Sequence, residues 1–346
     1  MSPISHDPMD ATLVADNPNA SNLIGSVVGS YKVLSYLGAG GMGAVYLAEH
    51  MRIGQAVALK VLHADMARDP KLVRRFEDEA RAAARAGHRN IVQVFDFGEL
   101  PDGRSYFVME RLKGQSLAQV ISAGNRLPVQ QALLIAREIA LALGAAHRAG
   151  VVHRDLKPDN VFLVDDDGDA MAVKVLDFGI AKLQRDPGRA GLTEAGLVFG
   201  TPSYMSPEQA RASGDIDGRS DLYALGIVLF EMLTGYVPFK GEPGEVLAKH
   251  ILTAPPDPRA IVGTIPEPIA LLVLRLLSKD REERFANAEA LVAELTRMGV
   301  APSGAGTLPG LKALAEAGVG GRKVGPAEAG MSAKQTAQAE IGRAHV

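Results

Sequence analysis

The chain has 346 residues, a formal net charge of −3 and no cysteine. That length holds one large domain or two smaller ones with ample material for a buried core. The near-neutral charge gives no electrostatic case for nucleic acid or an anionic membrane as the main partner, and disulfides and thiolate metal sites are excluded.

Residues 1–24 are rich in Asp, Asn, Ser and Pro without periodicity, and are expected to be disordered. From Tyr31 to Met109 the pattern is mostly strand-like, and VYLAEH and AVALKVL bracket a short MRIGQ turn as a β-hairpin would. One helix is expected from Lys71 to Ala86, with Phe76, Ala80 and Ala83 on one face. After Gly114 the texture changes to long helices. Pro128 opens one and Gly150 closes it. Ser220 is expected to cap the next, which ends near Gly235. A small β-rich part followed by a larger helical part makes a two-lobed α+β architecture. The most apolar stretches, 222–233 and 269–277, are too short to span a bilayer, and no basic segment with an apolar run opens the chain. A soluble, cytoplasmic chain is expected.

From 299 the chain is rich in Ala, Gly and Lys and reads as a flexible tail. Its last six residues, IGRAHV, translate ATC GGA AGA GCA CAC GTC, which looks like a sequencing-adapter read. The tail is therefore expected to be truncated and artefactual at its end.

Four groups of residues carry chemistry. LGAGGMG, from Leu37 to Gly43, spaces Gly38, Gly40 and Gly43 as Gly-x-Gly-x-x-Gly. In a chain with 37 glycines this triplet alone is weak. A dinucleotide-binding loop should open into a helix, whereas Gly43 leads into the alternating Ala44-Val45-Tyr46-Leu47, so the loop is a hairpin tip lying over its ligand as a flap. On the next strand Ala58 and Lys60 share a face. Taken alone, Lys60 reads as a solvated lysine on a strand. His153-Arg154-Asp155-Leu156-Lys157-Pro158-Asp159-Asn160 packs polar residues between Val151-Val152 and a strand at Val161–Val164, which suits a catalytic constellation better than a turn. Asp177-Phe178-Gly179 follows a second strand, Val173 to Leu176, and by itself would mean only a turn.

These pieces, in this order, resemble the protein kinase family over roughly residues 29 to 298. The phrasing GGMGAVYLA, GTPSYMSPEQA and SDLYALGIVLFEMLTG is most similar to bacterial eukaryotic-like serine/threonine protein kinases. The resemblance implies a disordered segment 1–28, a catalytic domain 29–298 with an N-lobe of about 29–112 and a C-lobe of about 113–298, and a tail 299–346. It implies ATP with Mg²⁺, or Mn²⁺ in its place, as cofactors, and serine/threonine protein substrates.

The same resemblance assigns roles. Leu37, Gly38, Ala39, Gly40, Gly41, Met42 and Gly43 would cover the ATP phosphates, and Val45 with Ala58 would sandwich the adenine. Lys60 would bind the α/β-phosphates, held by Glu79, while Met109, Glu110 and Leu112 align with the hinge that meets the adenine edge. Asp155 would be the base and Lys157 would steady the transferring phosphate. Asn160 and Asp177 would hold the metal. Thr201 belongs to the substrate loop, and Thr193 is the expected regulatory phosphosite, modified within a transient homodimer and paired with Arg154. Glu208 would pair with Arg284, and Asp221 would bind the catalytic-loop backbone.

Two residues depart from the family pattern. Ser206 stands where an alanine is usual before Pro207-Glu208, and Arg89 where a proline often follows the histidine; both are expected to matter little. A pseudokinase would need loss of Lys60, Asp155, Asn160 or Asp177, and all four are present. Small-molecule kinases of the aminoglycoside or choline type lack the Gly200-Thr201-Pro202 to Glu208 segment. A native protein anchored to a membrane through a missing C-terminal region is the alternative to a cytoplasmic one.

Overall fold

The computed structural model describes residues 23–121, 125–166, 170–178, 202–300 and 308–309. The alternating segments of the first third pair as an antiparallel six-stranded sheet. Its strands are β1 (Val27–Val28), β2 (Tyr31–Ala39), β3 (Gly43–His50), β4 (Ala56–Leu62), β5 (Val94–Glu99) and β6 (Ser105–Glu110), in the order β1-β2-β3-β4-β6-β5. The MRIGQ turn joins β3 to β4 as expected, and the sheet begins at Val27, four residues before the expected start.

Helix α1 (Pro70–Ala86) crosses between β4 and β5. Asp69 caps it by accepting from the Lys71 amide, Pro70 fills the first turn, and Gly87 ends it in the left-handed region at φ 44°. Its apolar stripe packs Phe76 against Phe107 of β6, with ring centroids 4.9 Å apart, beside Leu62 of β4. Cutting such a buried ring back to alanine costs about 3–5 kcal/mol, so α1 is firmly seated on the sheet.

The second lobe comprises β7 (Gly114–Ser116), α2 (Leu117–Val120), α3 (Val129–Arg148), β8 (Val161–Asp166), β9 (Ala170–Val175), α4 (Pro207–Ala210), α5 (Gly218–Thr234), α6 (Pro243–Leu252), α7 (Glu267–Leu276) and α8 (Ala288–Arg297). Helix α5 is buried nearly all round, as a central helix should be, and packs on α3 and α7. Helix α3 is long and apolar enough to cross a membrane, yet 78% of its apolar window is buried inside this core. A four-stranded sheet, ordered β10-β9-β8-β7, closes the lobe, with β10 being Leu308–Pro309.

One expected cap is corrected. Asp217, not Ser220, caps α5: its carboxylate accepts from the Arg219 amide. Ser220 lies inside the first turn, buried, and its hydroxyl donates to Glu208. The expectations for residues 1–22, for most of the tail, and for Gly179, Thr193, Gly200 and Thr201 fall outside the described residues.

Candidate active site

The glycine loop is the β2–β3 hairpin tip, closed by the Gly40 amide donating to the Gly43 carbonyl at 2.8 Å. His63, just past β4, holds it from below: its amide donates to the Met42 carbonyl at 3.0 Å and its Nε2 lies 3.2 Å from the Gly40 carbonyl. The glycines are not equivalent. A Cβ at Gly43 would sit 2.3 Å from the Val61 carbonyl oxygen, so strand packing demands glycine there. At Gly38, Gly40 and Gly41 a Cβ would meet nothing within 4 Å, and none of the three has a positive φ. Neither packing nor backbone conformation explains them, and they leave the loop backbone open to a ligand.

Leu37 and Ala39 are exposed at this rim, while Met42 turns inward against the Phe76–Phe107 cluster. The register sets Val45 opposite Lys60 and Ala58 opposite Met109, which puts Val45, Ala58, Lys60 and Met109 on one face of the sheet. Glu110 ends β6, and Leu112 lies in the three-residue connection to β7.

Lys60, only 5% exposed, joins the lobes. Its Nζ donates to Glu79 Oε1 at 2.7 Å and to Asp177 Oδ1 at 2.8 Å. Glu79 thus faces inward from α1, as its place three residues after Phe76 suggested. Burial alone would push the Lys60 pKa down, but the Asp177 and Glu79 carboxylates outweigh it and hold the ammonium above its usual range. Burial and the Asp177 charge push the Glu79 carboxyl up, against the pull of Lys60. Two carboxylates, Glu79 and Asp177, share the one ammonium.

The loop from His153 to Asn160 is held by its own donors. The Asp155 amide donates to His153 Nδ1 at 3.2 Å, so that nitrogen is the acceptor and Nε2 carries the proton it donates to the Leu176 carbonyl at 2.9 Å. The His153 ring rests on Phe178, centroids 4.7 Å apart, and Phe178 is fully buried. The Leu176 amide donates to the Asn160 carbonyl at 2.8 Å, tying the loop to the strand that leads to Asp177. Asn160 Nδ2 donates to the Asp155 carbonyl at 2.9 Å, leaving its amide oxygen for another partner. Lys157 Nζ stands 3.3 Å from Asp155 Oδ2.

Asp221, at the start of α5, accepts from the His153 and Arg154 amides, both at 2.8 Å, and contacts His147 Nε2 at 2.7 Å. Burial would raise its carboxyl; the His147 contact and the amides outweigh that and hold it below the usual carboxylate range. Arg154 and Asp177 adopt positive φ values of 64° and 48°, which non-glycine residues adopt at a cost of about 1–3 kcal/mol. Arg154 is fixed through its carbonyl, which accepts from Gln209 Nε2 at 2.8 Å.

The structure brings together Lys60, Glu79, Asp177, Asp155, Lys157 and Asn160, and shows the expected Glu208–Arg284 pair and the Asp221 contacts to the loop backbone. His147 and Gln209 were not singled out in the sequence; their partners lie 74 and 55 residues away, beyond any local signal. Arg89 is exposed as expected, and also reaches the buried Glu138 at 3.2 Å.

Two oxygen donors, Asp177 and the Asn160 amide oxygen, fit Mg²⁺, which keeps several waters and takes one or two protein ligands beside substrate phosphates.

Known proteins share this architecture. The protein kinase domain model matches residues 31–295. Serine/threonine-protein kinase Pkn1 of Myxococcus xanthus is 46% identical over 269 residues, covering 78% of this chain and 38% of that protein. Serine/threonine-protein kinase PrkC of Bacillus subtilis is 40% identical over 275 residues, covering 79% and 41%. The crystal structure of the Mycobacterium tuberculosis PknI kinase domain superposes with a TM-score of 0.62 at 29% identity, covering 79% of this chain and 98% of that one. The chain spans about two-fifths of the length of these two curated relatives. With a β-rich lobe carrying the glycine loop and a helical lobe carrying the Asp155 loop, the chain has the two-lobed protein kinase fold and belongs to the protein kinase family, among the bacterial eukaryotic-like serine/threonine kinases.

Proposed function

We propose that this chain transfers the γ-phosphoryl group of ATP to serine and threonine hydroxyls of proteins in bacterial signalling. The observation that carries the reading is the meeting of Glu79 and Asp177 on the Lys60 ammonium, within 2.8 Å, beside the loop that presents Asp155, Lys157 and Asn160. The catalytic domain would span 29–298.

In this reading the loop from Leu37 to Gly43 lies over the triphosphate, with backbone amides turned to it. Val45 and Ala58 enclose the adenine, whose edge meets backbone groups at Met109, Glu110 and Leu112. Lys60 binds the α/β-phosphates and Glu79 fixes its position. Asn160 and Asp177 would hold Mg²⁺ or Mn²⁺, whose charge offsets that of the phosphates. Asp155 accepts or orients the proton of the acceptor hydroxyl as that oxygen bonds to the γ-phosphorus and ADP leaves. Lys157 steadies the transferring group. Thr201 would help to seat the acceptor segment, and Thr193 would be phosphorylated within a transient homodimer. A cytoplasmic location fits these substrates.

Incubation with Mg-ATP and a mixed Ser/Thr/Tyr peptide library tests the reading. Phosphoserine and phosphothreonine are expected. Asp155→Asn should lose about 10²–10⁴ in turnover, the usual worth of a general base, while binding a non-hydrolysable ATP analogue nearly as well. Wild-type turnover in that variant, or products dominated by phosphotyrosine, would contradict the proposal.

A further inference from the structure

Helix α6 buries two of its side chains, Val246 and His250, and one of them is polar. His250 is fully enclosed, and two rings fix its orientation. Phe239 meets it edge-on with centroids 5.0 Å apart, and Tyr223 of α5 does so at 5.7 Å. An apolar side chain would fill this space without the cost of burying a polar ring, so packing alone does not account for a histidine.

The first ring nitrogen is engaged by a relay. Lys279 Nζ donates to the Tyr223 hydroxyl oxygen at 3.2 Å and to the Lys249 carbonyl at 3.2 Å. The hydroxyl keeps its own proton to give, and His250 Nδ1 stands 3.0 Å away to accept it. Burial, then the Lys279 charge, keeps the ring neutral near pH 7. With Nδ1 accepting, the single ring proton lies on Nε2. Lys279 and Tyr223 thus select the tautomer.

The second nitrogen is left over. Nε2 is buried and makes no hydrogen bond among the described residues. The backbone of Ser203, and then of Pro202, pulls the ring's pKa upward against burial, so acceptor groups of that segment lie beside the ring. Both residues belong to one 3₁₀ turn, Pro202–Tyr204, on which α5 and α6 both pack. The rest of the turn is tied down. Tyr204 donates its hydroxyl proton to Glu231 Oε2 of α5 at 2.7 Å, and the Met205 amide donates to the Pro202 carbonyl at 3.1 Å. A buried donor without an acceptor is costly, so a small movement of the turn onto His250 is favourable.

We infer that His250, oriented by Tyr223 and Lys279, is a positioning residue for the acceptor, its Nε2–H drawing in the Pro202–Ser203 backbone as the acceptor is seated. The inference rests on the phosphoryl transfer proposed above, because Pro202 directly follows Thr201, the residue given to the acceptor seat. A contact completed only on seating shows in acceptor KM and not in nucleotide affinity. A merely structural histidine would lower the unfolding midpoint without moving KM.

The test compares His250→Leu, His250→Gln, Tyr223→Phe and the double variant Tyr223→Phe/His250→Leu in the full chain. Three readouts are used: KM for a serine peptide that the wild type phosphorylates, affinity for a non-hydrolysable ATP analogue with Mg²⁺, and hydrogen exchange at the Met205 amide with and without peptide. His250→Leu should raise peptide KM about tenfold and leave analogue affinity within about twofold. His250→Gln, whose side-chain amide can still donate to the turn, should recover most of the loss. Tyr223→Phe should raise KM about threefold, because the ring proton can then move to Nδ1 and leave a lone pair facing the turn. The double variant should be no worse than His250→Leu, since Tyr223 acts through His250. Peptide should slow Met205 exchange about tenfold in the wild type and in His250→Gln, and less than about twofold in His250→Leu. An unchanged peptide KM in folded His250→Leu, or additive losses in the double variant, overturns the role. If His250→Leu does not fold, Tyr223→Phe decides: a raised KM at unchanged analogue affinity supports the role, and an unchanged KM overturns it. If the wild type phosphorylates no peptide, the functional reading fails. Nitrogen chemical shifts of His250 then decide the relay alone, and a ring protonated at Nδ1 overturns it.

Discussion

Arg284 grips Glu208 through both terminal guanidinium nitrogens, at 2.8 and 3.0 Å, across 76 residues and out of reach of water. The remaining guanidinium protons go to the Ser278, Arg219 and Lys279 carbonyls, and Ser220 donates to the same carboxylate. Burial would raise the Glu208 pKa, but the Arg284 contact outweighs it and holds the carboxyl low. Arg284→Ala leaves this carboxylate buried and unpaired, which costs about 3–5 kcal/mol. Urea unfolding of the variant should show a lower midpoint at an unchanged slope; an unaltered midpoint would make the pair dispensable.

His250 gives the fold an acid-sensitive point above the carboxylate range. It is fully buried between the Tyr223 and Phe239 rings, with Nδ1 3.0 Å from the Tyr223 hydroxyl, which itself accepts from Lys279. Burial, then the Lys279 charge, pushes its pKa down to about 4. The unfolded chain takes up the proton near pH 6.5, so the stabilisation is complete above that pH and is lost as pH falls towards 4. The full difference is worth about 3 kcal/mol at 1.36 kcal/mol per pKa unit. Chemical unfolding between pH 7 and 4.5 should show this slope in the wild type and a flatter one in His250→Gln. Equal slopes would remove His250 as the source.

The local parts of the fold and site were legible because their signals are short. The alternation from Ala44 to Leu47 identified a flap and not a helix-opening loop, and Asp155, Lys157 and Asn160 are neighbours in sequence. Glu79 could be placed from its offset to Phe76 on α1. Contacts between distant residues were not legible. Asp217 and Ser220 are equally good capping residues, and the choice follows from Ser220 being drawn to Glu208, which belongs to another element. His147 meets Asp221 and Lys174 meets Glu110 only because α3, α5, β6 and β9 pack as they do. Arg89 looked like a surface substitution because nothing local marks Glu138 as its partner.

The glycine loop offers a separation of stability from binding. At Gly43 the obstacle to a side chain is the Val61 backbone, which cannot rotate away. Gly43→Ala should destabilise the first lobe by about 1–3 kcal/mol, the usual cost of overpacking. At Gly40 the space is open, so Gly40→Ala should hold the unfolding free energy within about 0.5 kcal/mol of wild type. It should nevertheless weaken ATP-analogue binding, since a methyl there would crowd a phosphate lying under the loop. Calorimetry and titration of both variants check this. A Gly40→Ala protein that binds the analogue normally would argue against a phosphate at that tip.

The last expected outcome joins Arg154 to Thr193. Arg154 sits directly before Asp155 with its backbone fixed at both ends, the amide on Asp221 and the carbonyl on Gln209. Its Nε is buried and has no hydrogen-bond partner among the described residues, and burial pushes its pKa down. A guanidinium in that position gains from an anion, and a phosphate offers charge-assisted acceptors in a suitable geometry. Between Gly179 and Gly200 the sequence contains one hydroxyl residue, Thr193. After incubation with Mg-ATP, Thr193 should therefore carry phosphate, and its removal by phosphatase should lower activity. In Arg154→Ala the phosphorylated and dephosphorylated forms should be equally active, because the partner that reads the phosphate is gone. Mass spectrometry paired with activity before and after phosphatase treatment distinguishes the cases. A fully active enzyme with unmodified Thr193, or an Arg154→Ala protein still activated by phosphorylation, would break the link between the two residues.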